Sequence, residues 1–234
     1  MPTVSLIRLP LYEQIYRVLK SQIAAGELPP GSPISDYEVA TRLSVSRTPA
    51  REAIKRLVQE GLIQVHPNRR LSVVQPTARE MAETYAMRAA LEGLAAGMAA
   101  QNPMRRHLLA DAQAALDEVT SDVNQMTPSR WGQVNSLFHD AIIRVAGCEP
   151  LERMLDSMRI KITLCRASAL SKVRQFELAW DEHREILGLV LDGKATDAER
   201  KMRAHIVSAG ERVIKAVFGH ASEFAAANNW MLDD

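Results

Sequence analysis

Residues 45–58 constrain the fold most strongly, because their pattern predicts a short amphipathic helix with one apolar and one basic side. Three apolar residues recur at helical spacing, as on a surface that packs against a core: Ala50, Ile54 and Leu57. Three basic residues, each four positions apart, form a ridge beside this stripe: Arg47, Arg51 and Lys55. Such a helix must dock its apolar side on other elements and leave its cations facing outward.

The start of this predicted helix offers hydrogen-bonding groups as well as charge. Ser46 or Thr48 can cap it, and Pro49 is tolerated in a first turn, where backbone N–H groups have no intrahelical partner. Arginines, hydroxyl groups and free N–H groups can together contact base edges and phosphates in a DNA major groove. We interpret the segment as a recognition helix; the alternative is an ordinary solvated basic helix face.

The preceding residues complete a helix-turn-helix pattern. Residues 36–43 predict a short helix that Ser35 caps, with Glu38 at the capping-box position. The three residues 44–46 separate it from the recognition helix, which is the length expected of a helix-turn-helix. Residues 10–25 predict an additional helix in front of this pair.

The following residues add a basic hairpin, and positive charge is concentrated in this part of the chain. Residues 62–65 and 71–74 have strand-like patterns and are joined by the basic segment 66–70, which predicts a wing. Residues 1–75 hold ten Lys or Arg against six Asp or Glu, a balance of +4, so the remainder carries −3 of the total +1. DNA phosphates favour such a distribution. The aromatic content of 5% argues against a stacking surface for single strands.

These residues resemble the winged-helix domain of GntR-family transcription regulators. The matching segments are 30–36, 38–40, 45–53, Leu57 and 60–63. The resemblance implies that Arg47, Thr48 and Arg51 contact operator DNA and that the wing tip adds contacts. The predicted DNA-binding residues are Ser46, Arg47, Thr48, Arg51, His66, Arg69 and Arg70. Two positions depart from the family pattern: Tyr37 stands where many relatives have a basic DNA-contacting residue, and Arg70 replaces the usual wing glycine.

A second, all-helical domain follows the boundary that we draw between Gln75 and Pro76. Thr77 and Glu80 form a capping-box pattern at its start. Helical segments are predicted near 78–101, 104–124, 129–146, 150–168, 173–192 and 197–218. The tail 219–234 is compatible with a docked strap or with a frayed end. The predicted fold class is therefore mainly α, with a winged helix-turn-helix in residues 1–75 and a bundle of about six helices in residues 76–234.

The predicted bundle contains four side chains that could converge on one divalent metal ion. Asn135 and His139 stand four residues apart, so both project from one helix face. His183 and His205 belong to the last two predicted helices. Three imidazoles and one amide oxygen fit an ion such as Zn²⁺ or Ni²⁺. The alternative for each histidine taken alone is an ordinary core or surface residue.

The turn at 192–193 is expected to bring His183 and His205 to the same height. His183 lies nine residues before Asp192 in the turn. The next helix is predicted to start at Asp197, behind a Thr196–Glu199 capping box, and His205 lies eight residues after that start. In an antiparallel hairpin these nearly equal offsets of about 12–13 Å align the two imidazoles.

The helical segments resemble the FCD domain, the ligand-sensing half of the FadR-type branch of the GntR family. The matching segments are 85–92, 135–139, 182–186 and 202–205, so the whole resemblance covers about residues 10–218. It implies that Asn135, His139, His183 and His205 hold the metal, although relatives commonly have aspartate at the position of Asn135. It further implies a homodimer on a palindromic operator and an organic-acid effector at the metal. Arg88 or Arg166 is the cation that we expect to assist this carboxylate effector.

Three other functions remain open from the sequence. The domain could respond to the metal itself, or it could only dimerise and bind no small molecule. A metal-dependent hydrolase would need a general base; Glu182 is the nearest candidate, but as a neighbour of His183 it points about 100° away. We therefore expect no enzyme. Two cysteines, no long apolar run and no signal-peptide pattern lead us to expect a cytoplasmic protein without a membrane span.

Overall fold

The computed structural model of the protein describes residues 9–120, 128–170 and 176–219. The chain divides into two compact units, Met1–Gln75 and Pro76–Asp234. Residues 220–234, nearly the whole tail for which the sequence left two arrangements open, lie outside the described residues.

The first unit packs three helices against a small sheet. Its elements are α1 (Leu11–Ala24), β1 (Pro33–Ile34), α2 (Asp36–Leu43), α3 (Arg47–Gln59), β2 (Ile63–Val65) and β3 (Leu71–Val73). Leu19 and Ile23 of α1 and Leu57 of α3 are fully buried, and each such side chain contributes about 1.5–3 kcal/mol. The predicted cap of α2 is present, because the Ser35 hydroxyl accepts a hydrogen bond from the Glu38 N–H. This apolar core fixes α3 with its basic side outward.

The predicted wing is present and gains a third strand. The sheet is antiparallel in the order β1-β3-β2, with Ile63 opposite Val73 and Pro33 opposite Ser72. The sequence pattern did not predict β1 because it has only two residues, one of them proline. At the tip, Arg69 has a φ of 61°, a left-handed conformation that is unusual for a residue with a side chain.

The second unit is built around one long central helix. Its elements are α4 (Ala78–Gln101), α5 (Arg105–Leu108), α6 (Ala110–Thr120), α7 (Pro128–Ala146), α8 (Glu149–Leu170), α9 (Phe176–Leu191) and α10 (Ala195–Phe218). Helix α4 contacts α7, α8, α9 and α10 and is buried on several sides, as expected of a central helix. The predicted Thr77–Glu80 capping box is fully formed. A Cβ on Gly97 would lie 3.2 Å from Glu199 Oε2, so the glycine permits the close approach of α10.

The mainly α fold with a small β wing is as predicted, but two local predictions were wrong. The helix expected over 104–124 is divided at Leu109, whose fully buried side chain marks the change between α5 and α6. The Thr196–Glu199 capping box does not start the last helix, because α10 begins at Ala195 after Lys194, without a side-chain cap. The preceding turn is closed by the backbone: the Lys194 N–H bonds to the Leu189 carbonyl, and Gly193 has a φ of 75°. This turn closes the end of α9, and α10 follows it directly.

Candidate functional site

The predicted recognition helix is present as α3 and exposes its basic side. Ser46, Arg47, Thr48 and Arg51 are all exposed, while Ala50, Ala53, Ile54 and Leu57 are buried. Ser46 is the N-cap residue by position, but its hydroxyl makes no capping hydrogen bond, contrary to the expected side-chain cap. The arginines and hydroxyls at this end of α3 are therefore accessible from solvent.

Asp36 at the start of α2 pairs with both predicted DNA-binding arginines. Its Oδ1 lies 3.0 Å from Arg47 Nη2, and its Oδ2 lies 3.0 Å from Arg51 Nε. Partial burial alone would raise the pKa of Asp36, but the hydrogen bonds and charges of the two arginines lower it below its ordinary value. The arginine side chains are still 58% and 55% exposed. Exposed pairs of this kind contribute about 0–1 kcal/mol, so Asp36 orients the guanidinium groups without sequestering them.

The wing contributes a second group of basic residues. Arg69 and Arg70 are exposed at the tip, where the Asn68 side chain accepts a hydrogen bond from the Arg70 N–H. His66 is half-buried, and its Nε2 lies 2.8 Å from Ser72 Oγ. The wing thus exposes two of its three predicted DNA-binding side chains to solvent.

The structure brings the three predicted histidines together inside the helical unit. His139 of α7, His183 of α9 and His205 of α10 are buried, and one ring nitrogen from each falls within 4.8 Å of the others. His183 Nε2 lies 3.1 Å from His205 Nε2, so the two imidazoles align across the α9–α10 hairpin as expected, although α10 begins two residues earlier than predicted. Asn135 is half-buried on α7, one turn before His139, and its role as a ligand stays a prediction.

One buried and one half-buried carboxylate contact the Nδ1 atoms of two of these imidazoles. Glu92 Oε2 of α4 lies 2.7 Å from His139 Nδ1, and Glu182 Oε2 lies 2.6 Å from His205 Nδ1. These contacts leave the Nε2 atoms of His139 and His205 on the side away from the carboxylates, where His205 Nε2 meets His183 Nε2. Metal-binding histidines usually have such a partner on the other ring nitrogen. The sequence analysis did not assign this role to Glu92 or Glu182.

Each carboxylate is in turn paired with an arginine. Arg88 Nε lies 2.6 Å from Glu92 Oε1, and Arg212 Nη2 lies 3.3 Å from Glu182 Oε2. Burial would raise the pKa of Glu92, but the charges and hydrogen bonds of Arg88 and His139 hold it well below its ordinary value. The (i, i+4) spacing of Arg88 and Glu92 was the one signal in the sequence that could have identified this pair.

The imidazoles are neutral near pH 7. Burial lowers the pKa of His139 to about 4, against the opposing effect of Glu92. Burial also lowers the pKa of His205, and it lowers that of His183 well below its ordinary value. Neutral imidazoles are the form that coordinates a metal ion.

The donor set fits a divalent transition metal. With metal–nitrogen distances of about 2.0–2.1 Å, two ligands on one ion are about 2.9 Å apart in octahedral and about 3.3 Å apart in tetrahedral geometry. The 3.1 Å between His183 Nε2 and His205 Nε2 lies in this range. The full separation of up to 4.8 Å among the three nitrogens is wider, so a rotation of His139 must bring its nitrogen closer to the other two.

Aromatic rings pack against the third imidazole. The Phe138 ring is stacked on His183 at 4.2 Å between centroids, and Trp131 is nearly parallel to His183 at 5.5 Å. His183 Nδ1 is buried and has no hydrogen-bond partner in the described part of the chain. The sequence analysis did not identify Trp131 or Phe138 as part of the site.

A cavity of about 300 Å³ opens beside His139. Its lining includes His139, Ser136, Arg88 and Arg166, so both arginines considered for effector binding border it. Arg166 Nη1 donates to Ser136 Oγ at 3.1 Å, but no carboxylate among the described residues forms an ion pair with Arg166. Burial, followed by the charge of Arg88, lowers the pKa of Arg166. The whole lining holds four arginines and four acidic residues, so an anion in this cavity would be attracted by Arg166 itself and not by a net positive charge.

Other features limit the kinds of chemistry available. Glu182, the residue considered as a general base, accepts from His205 and Arg212 and is thereby held on the outer side of His205. Cys148 and Cys165 are free thiols. In the described ranges, no helix combines the length and the hydropathy that a membrane span requires.

Comparison with known proteins finds a family match for each of the two units. The profile of FCD domains matches residues 83–208, and that of gntR-family bacterial regulatory proteins matches residues 11–73. The HTH-type transcriptional repressor RspR of Escherichia coli K12 is 25% identical over 204 residues, which cover 87% of this chain and 89% of that protein. A Paenarthrobacter nicotinovorans protein named "Probable D-xylose utilization operon transcriptional repressor" is 28% identical over 204 residues, covering 87% and 88%.

Solved structures with 21% sequence identity share the fold. E. coli McbR/YncC gives a TM-score of 0.74, covering 89% of this chain and 99% of that one. A GntR regulator from Rhodococcus sp. RHA1 gives 0.72, covering 88% and 98%. The fold and the comparisons define a DNA-binding transcriptional regulator. The chain belongs to the GntR family, in the branch with a C-terminal FCD domain. The relatives and neighbours are regulators and not enzymes, which confirms that prediction.

Proposed function

We propose that this regulator binds an operator through α3 and the wing, and that a small carboxylate held at a divalent metal ion in the helical unit controls its operator affinity. The observation that carries the proposal is the group of three buried, neutral imidazoles beside a cavity bordered by Arg166, which has no ion-pair partner among the described residues. Organic-acid effectors are what the family resemblance implies, and the available charge of Arg166 supports them.

Zn²⁺ is the ion that the donor set favours, and Ni²⁺ or another transition metal is the alternative. His139, His183 and His205 would supply nitrogen ligands, and Asn135 would supply a side-chain oxygen. A bound ion would add positive charge and leave one or two coordination positions open for a carboxylate. Glu92 and Glu182 contact the Nδ1 atoms of His139 and His205, so both rings already face the site before an ion binds, although His139 must still rotate to reach it.

Arg166 is the residue that we assign to the effector carboxylate. It borders the cavity, bonds to Ser136 and lacks an ion-pair partner among the described side chains. Arg88 borders the same cavity, but Glu92 already neutralises it. Arg88 therefore supports the site electrostatically, while Arg166 has the charge available for a new partner. A cavity of about 300 Å³ accommodates a small organic acid.

For the DNA side, we propose that the base and phosphate contacts come from Ser46, Arg47, Thr48, Arg51, His66, Arg69 and Arg70. One recognition helix contacts only a few base pairs, so we further propose a cytoplasmic homodimer on a palindromic operator. The effector would act by binding one conformational state more tightly than another, which changes operator affinity by that difference.

The test begins with DNA selected from a random library by the metal-loaded protein. Operator affinity is then measured with mono-, di- and tricarboxylates of two to six carbons, with and without a chelator. We expect at least one acid to change the affinity tenfold or more, and only in the metal-loaded protein. An affinity that no acid changes would refute effector sensing. A response to the chelator alone would favour a regulator of the metal itself.

Two variants separate the parts of the site. His139→Ala should abolish metal binding and the acid response, whereas Arg166→Gln should retain the metal and weaken the acid response. Arg200→Gln is the matched control, because Arg200 lies in the same unit with its side chain 81% exposed. It should behave as the wild type. An Arg166→Gln protein with an unchanged acid response would refute the assignment of Arg166.

A further inference from the structure

The three imidazoles are held in two physically different ways. His205 Nδ1 is hydrogen-bonded to Glu182 at 2.6 Å, and His139 Nδ1 lies 2.7 Å from Glu92 Oε2 in an ion-pair contact. His183 Nδ1 is equally buried, but among the described residues it has neither a hydrogen-bond partner nor a carboxylate in ion-pair contact. Rotation about the bond to an imidazole ring is broad and weakly restricted by itself. His183 Nε2 contacts His205 Nε2 at 3.1 Å, but a bound ion would replace this hydrogen bond, so something else must then fix the direction of His183 Nε2.

Aromatic packing supplies this restriction. The Trp131 ring lies 11° from parallel to the His183 ring, and the Phe138 ring lies 23° from parallel at a centroid distance of 4.2 Å. Trp131 and Phe138 are seven residues apart on α7, which places their Cα atoms about 10.5 Å apart along one helix face. Two rings parallel to the imidazole occupy the space into which it would otherwise rotate.

We propose that Trp131, together with Phe138, is a positioning residue that holds His183 with its Nε2 directed at the shared metal-binding point. The proposal deepens the proposed function and rests on its metal site. Trp131 orients the His183 ring, as Glu92 orients His139 and Glu182 orients His205. Phe138 also contacts the His139 ring edge-on at 5.1 Å, so Trp131 gives the cleaner test.

The first measurement uses Co²⁺ as the probe, with its dissociation constant from chelator competition and its visible absorption as a reporter of coordination geometry. Trp131→Leu keeps an apolar side chain but removes the flat face, and it should weaken Co²⁺ binding about tenfold or more and change the spectrum. Trp131→Phe restores an aromatic face and should stay within about threefold of the wild type. Trp180→Phe is the matched control, because Trp180 is also buried and lies on α9 three residues before His183.

Two results would overturn the proposal. One is a folded Trp131→Leu protein with wild-type Co²⁺ affinity and spectrum. The other is an equal loss in Trp180→Phe, which would indicate a general effect of core packing.

A second measurement needs no metal and separates this proposal from the metal site itself. With ¹³C-labelled histidine rings, the metal-free protein should show nuclear Overhauser contacts between Trp131 and His183. The His183 ring resonances should shift in Trp131→Leu and much less in Trp180→Phe. If the wild type takes up no Co²⁺ but retains these contacts, the metal site fails while the positioning of the ring stands. If the contacts are absent, the positioning role is refuted.

Discussion

The buried pair between Arg88 and Glu92 leads to the most quantitative prediction. The two side chains are each only 3% exposed, and Arg88 Nε lies 2.6 Å from Glu92 Oε1. Glu92→Gln keeps the size of the side chain but removes its charge. The guanidinium of Arg88 is then buried without its carboxylate partner, and its charge acts on the neighbouring Arg166. We expect the helical unit to lose about 3–5 kcal/mol of unfolding free energy.

The same helix offers a matched control. Arg79 and Glu83 of α4 form a pair with the same (i, i+4) spacing at 2.8 Å, but their side chains are 83% and 49% exposed. Glu83→Gln should therefore cost no more than about 0.5 kcal/mol. The double change Arg88→Met with Glu92→Leu removes both charges and should cost less than Glu92→Gln alone.

Urea denaturation of the metal-free protein measures these differences. All three tryptophans of the chain lie after residue 75, so tryptophan fluorescence reports on the helical unit. With a slope of about 2–3 kcal/mol per molar urea, Glu92→Gln should lower the midpoint by about 1–2.5 M. A midpoint within about 0.3 M of the wild type would refute the expected loss of stability, because it would mean that the Arg88 guanidinium contacts solvent or another anion instead of Glu92.

Three further predictions concern the winged-helix unit. Arg51→Ala should weaken specific operator binding by about 1–3 kcal/mol in a titration at fixed salt, and equal weakening on unrelated DNA would show that Arg51 does not read a base. Burial alone would raise the pKa of Glu60, but hydrogen bonds from Lys20 and Tyr16 and the charges of Lys20 and Arg56 hold it below its ordinary value of 4.5. The stabilisation is therefore present above that pH and is lost as pH falls through the lowered pKa. Hydrogen exchange of the α1 amides, corrected for intrinsic rates, should show that Glu60→Gln destabilises α1 above pH 4.5 and that its difference from the wild type becomes smaller below that pH. A difference that does not change with pH would contradict this explanation. Arg69→Gly should relieve the left-handed strain and stabilise the wing by about 1 kcal/mol while weakening DNA binding, and a loss of stability would contradict this explanation.

The sequence predicted the winged helix-turn-helix because its signals are local. Ser35 and Glu38 form a cap within one turn, and the stripe of Ala50, Ile54 and Leu57 follows helical periodicity. The alignment of His183 with His205 was also predictable, because two helices joined by a short turn run antiparallel. Such features depend on spacing along the chain.

The features that the sequence did not reveal depend on contacts between distant segments. Glu92 lies 47 residues before His139, and nothing in its own neighbourhood indicates a role behind that imidazole. The contact of Trp131 with His183 likewise joins α7 to α9 across the core. The Thr196–Glu199 pattern was misleading because the backbone turn at Gly193 leads directly into α10 without a side-chain cap.

X-ray absorption at the zinc edge of the metal-loaded protein tests the central claim most directly. The account predicts three imidazole nitrogens at about 2.0–2.1 Å, and two in His183→Ala. A first shell without imidazole scattering, or a count that His183→Ala leaves unchanged, would contradict the claim that these three histidines hold the ion.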